Sequence, residues 1–399
     1  MQEPMNRRLF FSVGEPSGDL HASNLIRALR KQDDSLQCRG FGGVKMMQSG
    51  GFECDFDLTQ MAVVGFAEVV PKLREFFRIA DIASDIFQRG EVDGVVLVDF
   101  PGFNWHIAKR AKKHGLPVFY YLPPQLWAWG GWRIKKIKAH VDHVLCNLPF
   151  EHEWYLKQGV AAEWVGHPFF DEVTSRHLDA RFLQCWTKPN ALQVAVLPGS
   201  RDHEVHQLWP MQLTILQNLH RRFPDVRFLV GAYKDAHALW CKQQLQQFDP
   251  TLPVEIFVGK TSEILEICDC ALMKSGSVSL ELMARGVPAT VLYRVSRLTY
   301  AIGKMLTQCK SFTLPNLIAG ETVMPEYLSV GNPAKAIAGA IESMSQLIGD
   351  ADYRAVARNK LLQMRDQYAQ PGASRKAASF ILQKMPNPYV RSTPRVVAA

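Results

Sequence analysis

Short apolar runs alternate with amphipathic stretches along most of the chain. Residues 9–13, 95–98, 118–122 and 143–146 are strand-length runs rich in Val, Leu, Phe and Tyr, while 23–30, 73–87 and 105–114 carry apolar residues at helical spacing. The alternation returns in the second half. There 194–197, 227–230, 254–258, 270–273 and 289–293 read as strands, and 207–222, 236–247, 262–267 and 279–284 as helices. Three more helical stretches follow at 333–348, 353–370 and 374–383. Apolar strands separated by helices specify parallel sheets covered on both faces, so the pattern predicts an α/β fold with two such sheets.

A chain of 399 residues exceeds what one core organises. The pattern breaks at His167 and Pro168, and the linker is expected between there and Pro189. The expected division is a first domain at 1–185, a second at 186–345, and C-terminal helices at 346–385 that pack back on the first domain or exchange with a partner. A disordered tail is expected at 386–399. Two doubly wound domains are expected to face each other across a cleft, where such sheets bind ligands.

Composition narrows the class. Hydrophobic residues make up 47% and charged residues 21%, ordinary usage for a globular chain. No apolar run approaches the roughly 20 residues of a membrane span. Arg7 and Arg8 ahead of 9–13 imitate a signal peptide, but the run is short and Glu15 and Asp19 follow at once, so export is not expected. Eight cysteines without a C-x-x-C pair fit a reducing cytoplasm and give zinc no site. A net charge of +8 favours anionic partners, and without a nucleic-acid-binding signature these are a phosphorylated metabolite or an anionic membrane.

Several loops carry candidate chemistry. The strand 194–197 ends in Pro198-Gly199-Ser200-Arg201, which offers backbone N–H groups, a hydroxyl and a forked cation, a set suited to a diphosphate. A plain strand-to-helix turn with a surface arginine would use the same residues. Ser275, Gly276 and Ser277 repeat the logic after 270–273, and Glu281, one turn into the next helix, suits a ribose diol. Gly14 and Gly18 let the first turn approach a ligand, with Asp19 either capping the helix or accepting from a sugar. Asp99 ends the run 95–98, where desolvation can raise a carboxylate toward a useful general base; a structural role is the alternative. Asn104, Tyr120, Tyr121 and Gln125 either hold a sugar or satisfy loop backbone.

Phe66, Val69, Val70, Leu73 and Phe77 recur at helical spacing among Lys72, Arg74 and Arg78, which suits a membrane interface or an acyl chain as well as ordinary core packing. Trp127, Trp129 and Trp132 with Arg133, Lys135 and Lys136 form a second aromatic and basic cluster. Gly259-Lys260-Thr261 is not a P-loop, because Val254 stands where a glycine is required. His203 and His206 have only Glu204 nearby as a further ligand, so no metal is expected.

In order along the chain, Gly14-Glu15-Pro16-Ser17-Gly18-Asp19, Asp99-Phe100-Pro101-Gly102-Phe103-Asn104, Trp127-Ala128-Trp129, Gly166-His167-Pro168, 197–201 and Leu314-Pro315-Asn316-Leu317 resemble the motifs of lipid-A-disaccharide synthases. These glycosyltransferases join two acylated glucosamines in lipopolysaccharide biosynthesis. The resemblance implies a glycosyltransferase-B fold of two Rossmann-like domains and no cofactor or metal. It implies inverting transfer from UDP-2,3-diacylglucosamine to 2,3-diacylglucosamine 1-phosphate (lipid X), with a β-1,6 link formed and UDP released. Asp99 would then be the base. Arg201, Gly199, Ser200 and the 275–277 turn would meet the diphosphate, Glu281 would hold the ribose, and Asn316 would line the cleft. Glu15, Ser17, Asp19, Asn104 and Gln125 fall on the acceptor side.

The family's membrane contact matches 65–78, which implies a cytoplasmic protein held peripherally at the inner membrane, and the family often pairs through exchanged C-terminal helices. Gly130 and Gly131 stand where relatives carry an arginine, a charge that Arg133 can supply, and Lys274 replaces a small residue. Two rival readings remain: another UDP-N-acetylhexosamine transferase or epimerase of this fold, and an inactive nucleotide- or membrane-binding paralogue. The presence of both Asp99 and Arg201 argues against the second.

Overall fold

Two fully parallel sheets organise the chain in the computed structural model, which describes residues 6–62, 69–188, 191–306 and 311–386. The first unit comprises Met1–Asp171 and Pro371–Ala399, and the second Glu172–Gln370. In the first, the order is β1 (Arg8–Val13), α1 (Pro16–Gln32), β2 (Gln37–Gly42), α2 (Val44–Met47), β3 (Phe52–Asp57), α3 (Thr59–Ala62) and α4 (Val69–Gln88). Then come β4 (Gly94–Val98), α5 (Pro101–Lys113), β5 (Val118–Tyr121), α6 (Ile134–His140), β6 (His143–Cys146), α7 (Pro149–Lys157) and β7 (Ala162–Trp164). The helix α8 (Phe169–Ser175) crosses into the second unit.

The second unit continues with α9 (Ala180–Trp186), β8 (Gln193–Leu197), α10 (Asp202–Arg222), β9 (Arg227–Ala232), α11 (Asp235–Phe248), β10 (Val254–Val258) and α12 (Thr261–Ile267). It closes with β11 (Cys270–Lys274), α13 (Val278–Arg285), β12 (Ala289–Val295), α14 (Arg297–Leu306), α15 (Leu314–Ala319), β13 (Glu326–Val330), α16 (Ala334–Gly349) and α17 (Ala351–Tyr368). The chain then returns to the first unit as α18 (Ala373–Lys384).

The sheet orders are β3-β2-β1-β4-β5-β6-β7 and β10-β9-β8-β11-β12-β13. Both orders reverse direction beside their first strand, between β1 and β4 and between β8 and β11. At such a switch point the helices leave to opposite faces, and the loops after the two strands open a crevice. The strands are buried on both faces. Along β4, Val95 and Leu97 join a core with Phe10, while Val96 and Val98 join another with Leu9 and Phe11.

Strands β2, β3, β7 and β13 were not predicted from the apolar pattern. The sequence of β3, FECDFD, alternates apolar and acidic residues at a sheet edge, and Arg39 on β2 is tied to Asp55 on it. The division between units falls after Asp171 rather than at 185/186. Asp179, just before α9, receives Lys260 Nζ at 2.7 Å, and Arg176 donates to Ser262, so both belong with the second sheet.

The expected block 346–385 likewise divides. Helix α17 packs on α13 and α16 in the second unit, while α18 packs on α1. Ala377, Ala378 and Ile381 are buried in the first unit's core, and Asp171 accepts from the N–H groups of Gly372, Ala373 and Ser374 at the start of α18. The tail from residue 387 and Phe66 lie outside the described residues, as do the side chains of Val69, Val70 and Leu73. Among the described residues no helix is long and apolar enough to cross a membrane.

Candidate active site

In the first unit the loops at the switch point follow β1 and β4. Asp99 and Phe100 both take left-handed backbone, at φ 46° and 45°, which a residue with a side chain adopts only when its surroundings impose it. The imposing group is Asn104, fully buried in the first turn of α5. Its Nδ2 donates to the carbonyls of Asp99 at 2.7 Å, Ser12 at 3.2 Å and Val98 at 3.3 Å, and its Oδ1 accepts from Ser12 Oγ at 2.6 Å. Tyr120 Oη also donates to the Asp99 carbonyl, at 2.9 Å. Gly14 completes the arrangement, since a Cβ there would lie 2.3 Å from the Phe100 ring.

Burial raises the Asp99 carboxyl above the usual Asp range, partly offset by the Phe100 N–H and the nearby charge of His21. His21 stands edge-on to His167, with ring centroids 6.4 Å apart. Burial pushes His167 down to about 3, so it is neutral, and its Nδ1 accepts from the Phe169 N–H at 3.2 Å. In the sequence His167 marks only the linker and a motif, and His21 carries no signal beyond being a histidine two residues past Asp19.

Several expected acceptor residues have other tasks. Asp19 does not cap its own helix. Its oxygens accept from the N–H groups of Gly43 at 2.9 Å, Lys45 at 2.9 Å and Met46 at 3.1 Å, at the start of α2. Asn104 spends its amide on backbone, as described. Glu15 is half-buried before α1, and Ser17 and Gln125 are exposed.

The Trp127 to Arg133 loop follows β5. Trp127 Nε1 donates to Glu151 at 3.1 Å, whereas Trp129 and Trp132 are 52% and 73% exposed. The Arg133 guanidinium lies 4.0 Å over the Trp129 ring, and Gly130 makes room for it, because a Cβ there would sit 2.6 Å from Arg133 Nε. Phe77 is 44% exposed and packs edge-on to His106.

In the second unit the loops follow β8 and β11. Gly199 has φ 128°, and a Cβ on it would lie 2.8 Å from Glu204 Cβ. That close approach brings Glu204 back to its own loop. Its Oε2 accepts from the N–H groups of Ser200 at 3.1 Å and Arg201 at 3.2 Å, and its Oε1 from Arg201 Nη1 at 3.1 Å and Lys274 Nζ at 2.8 Å. The sequence reading offered those N–H groups to a diphosphate; they are taken by Glu204. Burial opposes ionisation of Glu204, but Lys274 and the two loop N–H groups outweigh it and hold the carboxyl at about 2.

The side chain of Arg201 is 71% exposed, and Gly276 and Ser277 ahead of α13 are exposed as well. Ser275 is buried, and its Oγ donates to the Phe312 carbonyl at 2.9 Å. Glu281 is buried and paired with Arg285 at 3.0 Å, and its second oxygen lies 3.7 Å from Arg176 Nη1. This pairing gives Glu281 a structural task. Asn316 does not line an open surface. It is buried, donating to the Met324 carbonyl and Glu326 and accepting from the N–H groups of Val323 and Met324.

Two doubly wound parallel sheets, each with a polar loop cluster at its switch point, define a protein of the glycosyltransferase-B class. The crystal structure of UDP-GlcNAc 2-epimerase from Neisseria meningitidis bound to UDP-GlcNAc shares this fold, with a TM-score of 0.62 at 13% identity over 95% of this chain and 100% of that one. So does the glycotransferase of kitacinnamycin, with a TM-score of 0.61 at 15% identity over 96% and 100%. The family model described as Lipid-A-disaccharide synthetase matches residues 9–383. Lipid-A-disaccharide synthases of Syntrophus aciditrophicus and Geobacter sulfurreducens are 36% and 32% identical, over 95% and 96% of this chain and 98% and 99% of their own lengths. The Coxiella burnetii protein of the same name is 34% identical over 94% of this chain and 98% of its own. The chain belongs to the lipid-A-disaccharide synthase family, whose members are hexosyltransferases.

Glu151 yields a pH prediction. Burial raises this carboxyl from 4.5 to about 8, against the hydrogen bonds from Trp127 and backbone. The folded protein therefore binds one proton more than the unfolded chain between pH 4.5 and 8, so Glu151 makes stability fall as pH rises through that window, at up to about 1.4 kcal/mol per pH unit. In urea melts, Glu151→Gln should be less sensitive to pH than wild type across this range. Parallel profiles for the two proteins would contradict the assignment.

Proposed function

We propose that the chain transfers 2,3-diacylglucosamine from UDP-2,3-diacylglucosamine to 2,3-diacylglucosamine 1-phosphate, inverting the anomeric carbon, forming the β-1,6-linked disaccharide 1-phosphate and releasing UDP. The observation that carries this reading is Asp99. It is a carboxylate with a raised pKa on left-handed backbone at the switch point of the first unit, held there by Asn104.

In this mechanism Asp99 accepts the proton of the acceptor hydroxyl as its oxygen attacks the anomeric carbon. The bond from that carbon to the diphosphate breaks with its electron pair passing to the phosphate oxygen. The exposed Arg201 guanidinium, the Ser277 hydroxyl and the open N-terminus of α13 meet the developing charge. Glu281, through the oxygen not held by Arg285, takes the ribose. Relatives that are lipid-A-disaccharide synthases and a structure of this fold with bound UDP-GlcNAc support this donor, and the acceptor follows from the family's reaction.

The acylated substrates place the enzyme at the cytoplasmic face of the inner membrane, with the exposed Phe77 of α4 entering the interface. Exchange of residues 371–386 between two copies would preserve the α1 to α18 packing and make a homodimer.

Asp99→Ala and Arg201→Ala should each lower turnover about a hundredfold or more while the circular dichroism spectrum stays native. The acid limb of the wild-type pH–rate profile should lie above the ordinary Asp range. A folded variant of either kind working at near wild-type rate would remove that residue from the mechanism. For the interface, Phe66→Ser with Phe77→Ser should reduce sedimentation with anionic vesicles and leave UDP affinity alone. Unchanged sedimentation would locate membrane contact elsewhere.

A further inference from the structure

Two cations at the phosphate loop share one anion. Arg201 Nη1 and Lys274 Nζ approach the same oxygen, Glu204 Oε1, at 3.1 and 2.8 Å, so they lie no further apart than those two distances laid end to end. Glu204 also receives two loop N–H groups, so its four acceptor sites are filled. Its one negative charge nevertheless faces two cations. The cluster keeps net positive charge beside the exposed Gly276 and Ser277.

The ammonium is also held in place. The Lys274 side chain is mostly buried at the end of β11, with Nζ 5.4 Å over the Tyr293 ring. Tyr293 stacks on Phe312, whose carbonyl anchors Ser275, the residue that follows Lys274. Glu204 between them offsets the repulsion of these two cations, and the one positive charge that it does not balance is available to a further anion. An ammonium has three donors, and Glu204 uses one of them.

We propose that Lys274 is a second cation for the leaving diphosphate of the nucleotide-sugar donor, aimed by Glu204 and Tyr293 and acting beside Arg201. The proposal rests on the donor-site reading above. As the bond from the anomeric carbon to the phosphate oxygen breaks, the electron pair stays on that oxygen, and Lys274 donates a hydrogen bond to the diphosphate without giving up its proton.

The test titrates UDP and uridine calorimetrically into wild type, Lys274→Met, Lys274→Arg and the double variant Glu204→Gln with Lys274→Met. The double variant removes the carboxylate that Lys274→Met alone would strand in a buried site. UDP should bind about tenfold more weakly to Lys274→Met and to the double variant, while uridine binds all four proteins alike and Lys274→Arg keeps near wild-type affinity for UDP. Wild-type UDP affinity in the double variant would overturn the role of Lys274, reducing it to a partner of Glu204. Absence of UDP binding by wild type would instead overturn the donor-site reading, and the role of Lys274 with it.

Discussion

Backbone groups at the carboxyl end of a parallel sheet leave the ladder and must find partners, yet a ligand-binding loop needs its own shape rather than that of a helix or strand. Each unit meets this constraint with one buried polar side chain. Asn104 gathers the carbonyls of Ser12, Val98 and Asp99 and so ties β1 to β4 across the switch point. Glu204 gathers the N–H groups of Ser200 and Arg201 and reaches Lys274, so ties β8 to β11. Remove either and the loop loses partners that hold its shape, the left-handed backbone at Asp99 in one case and the tight turn at Gly199 in the other.

The two clamps have opposite chemistry. Asn104 is neutral and turns its donors toward carbonyls, leaving the Asp99 carboxylate in a setting where burial disfavours its charge, which suits a group that must pick up a proton. Glu204 is charged, and it concentrates cations around itself, which suits a site that must receive negative charge. In the proposed reaction the first cluster would take up the proton and the second would meet the charge on the leaving diphosphate.

Much of this was legible in the residues. The apolar runs located nine strands because both faces of these strands are buried, and the motifs around Asp99 and Arg201 pointed to the two loops that the topology brings to the switch points. The edges were not legible. In β3, charged residues alternate with Phe because one side of the strand meets no further strand, and β7 is only three residues long. Roles inside the loops were harder still. Asp19, Asn104 and Asn316 are polar residues in ligand-binding motifs, and all three proved to serve backbone, because tight loops need internal acceptors and donors as much as ligands do. Glu204 lies three residues past Arg201 in the sequence, and nothing in that spacing reveals that it folds back on Gly199. The pairing of His21 with His167 depends on a contact between residues more than a hundred positions apart, and no local pattern carries it.

The central claim is that these two clusters together join two acylated glucosamines. The direct measurement incubates the purified protein with UDP-2,3-diacylglucosamine and 2,3-diacylglucosamine 1-phosphate and follows the products by mass spectrometry. The account predicts a tetra-acyl disaccharide 1-phosphate formed in equal amount with UDP. Release of UDP without disaccharide, or transfer only to a water-soluble acceptor, would contradict it.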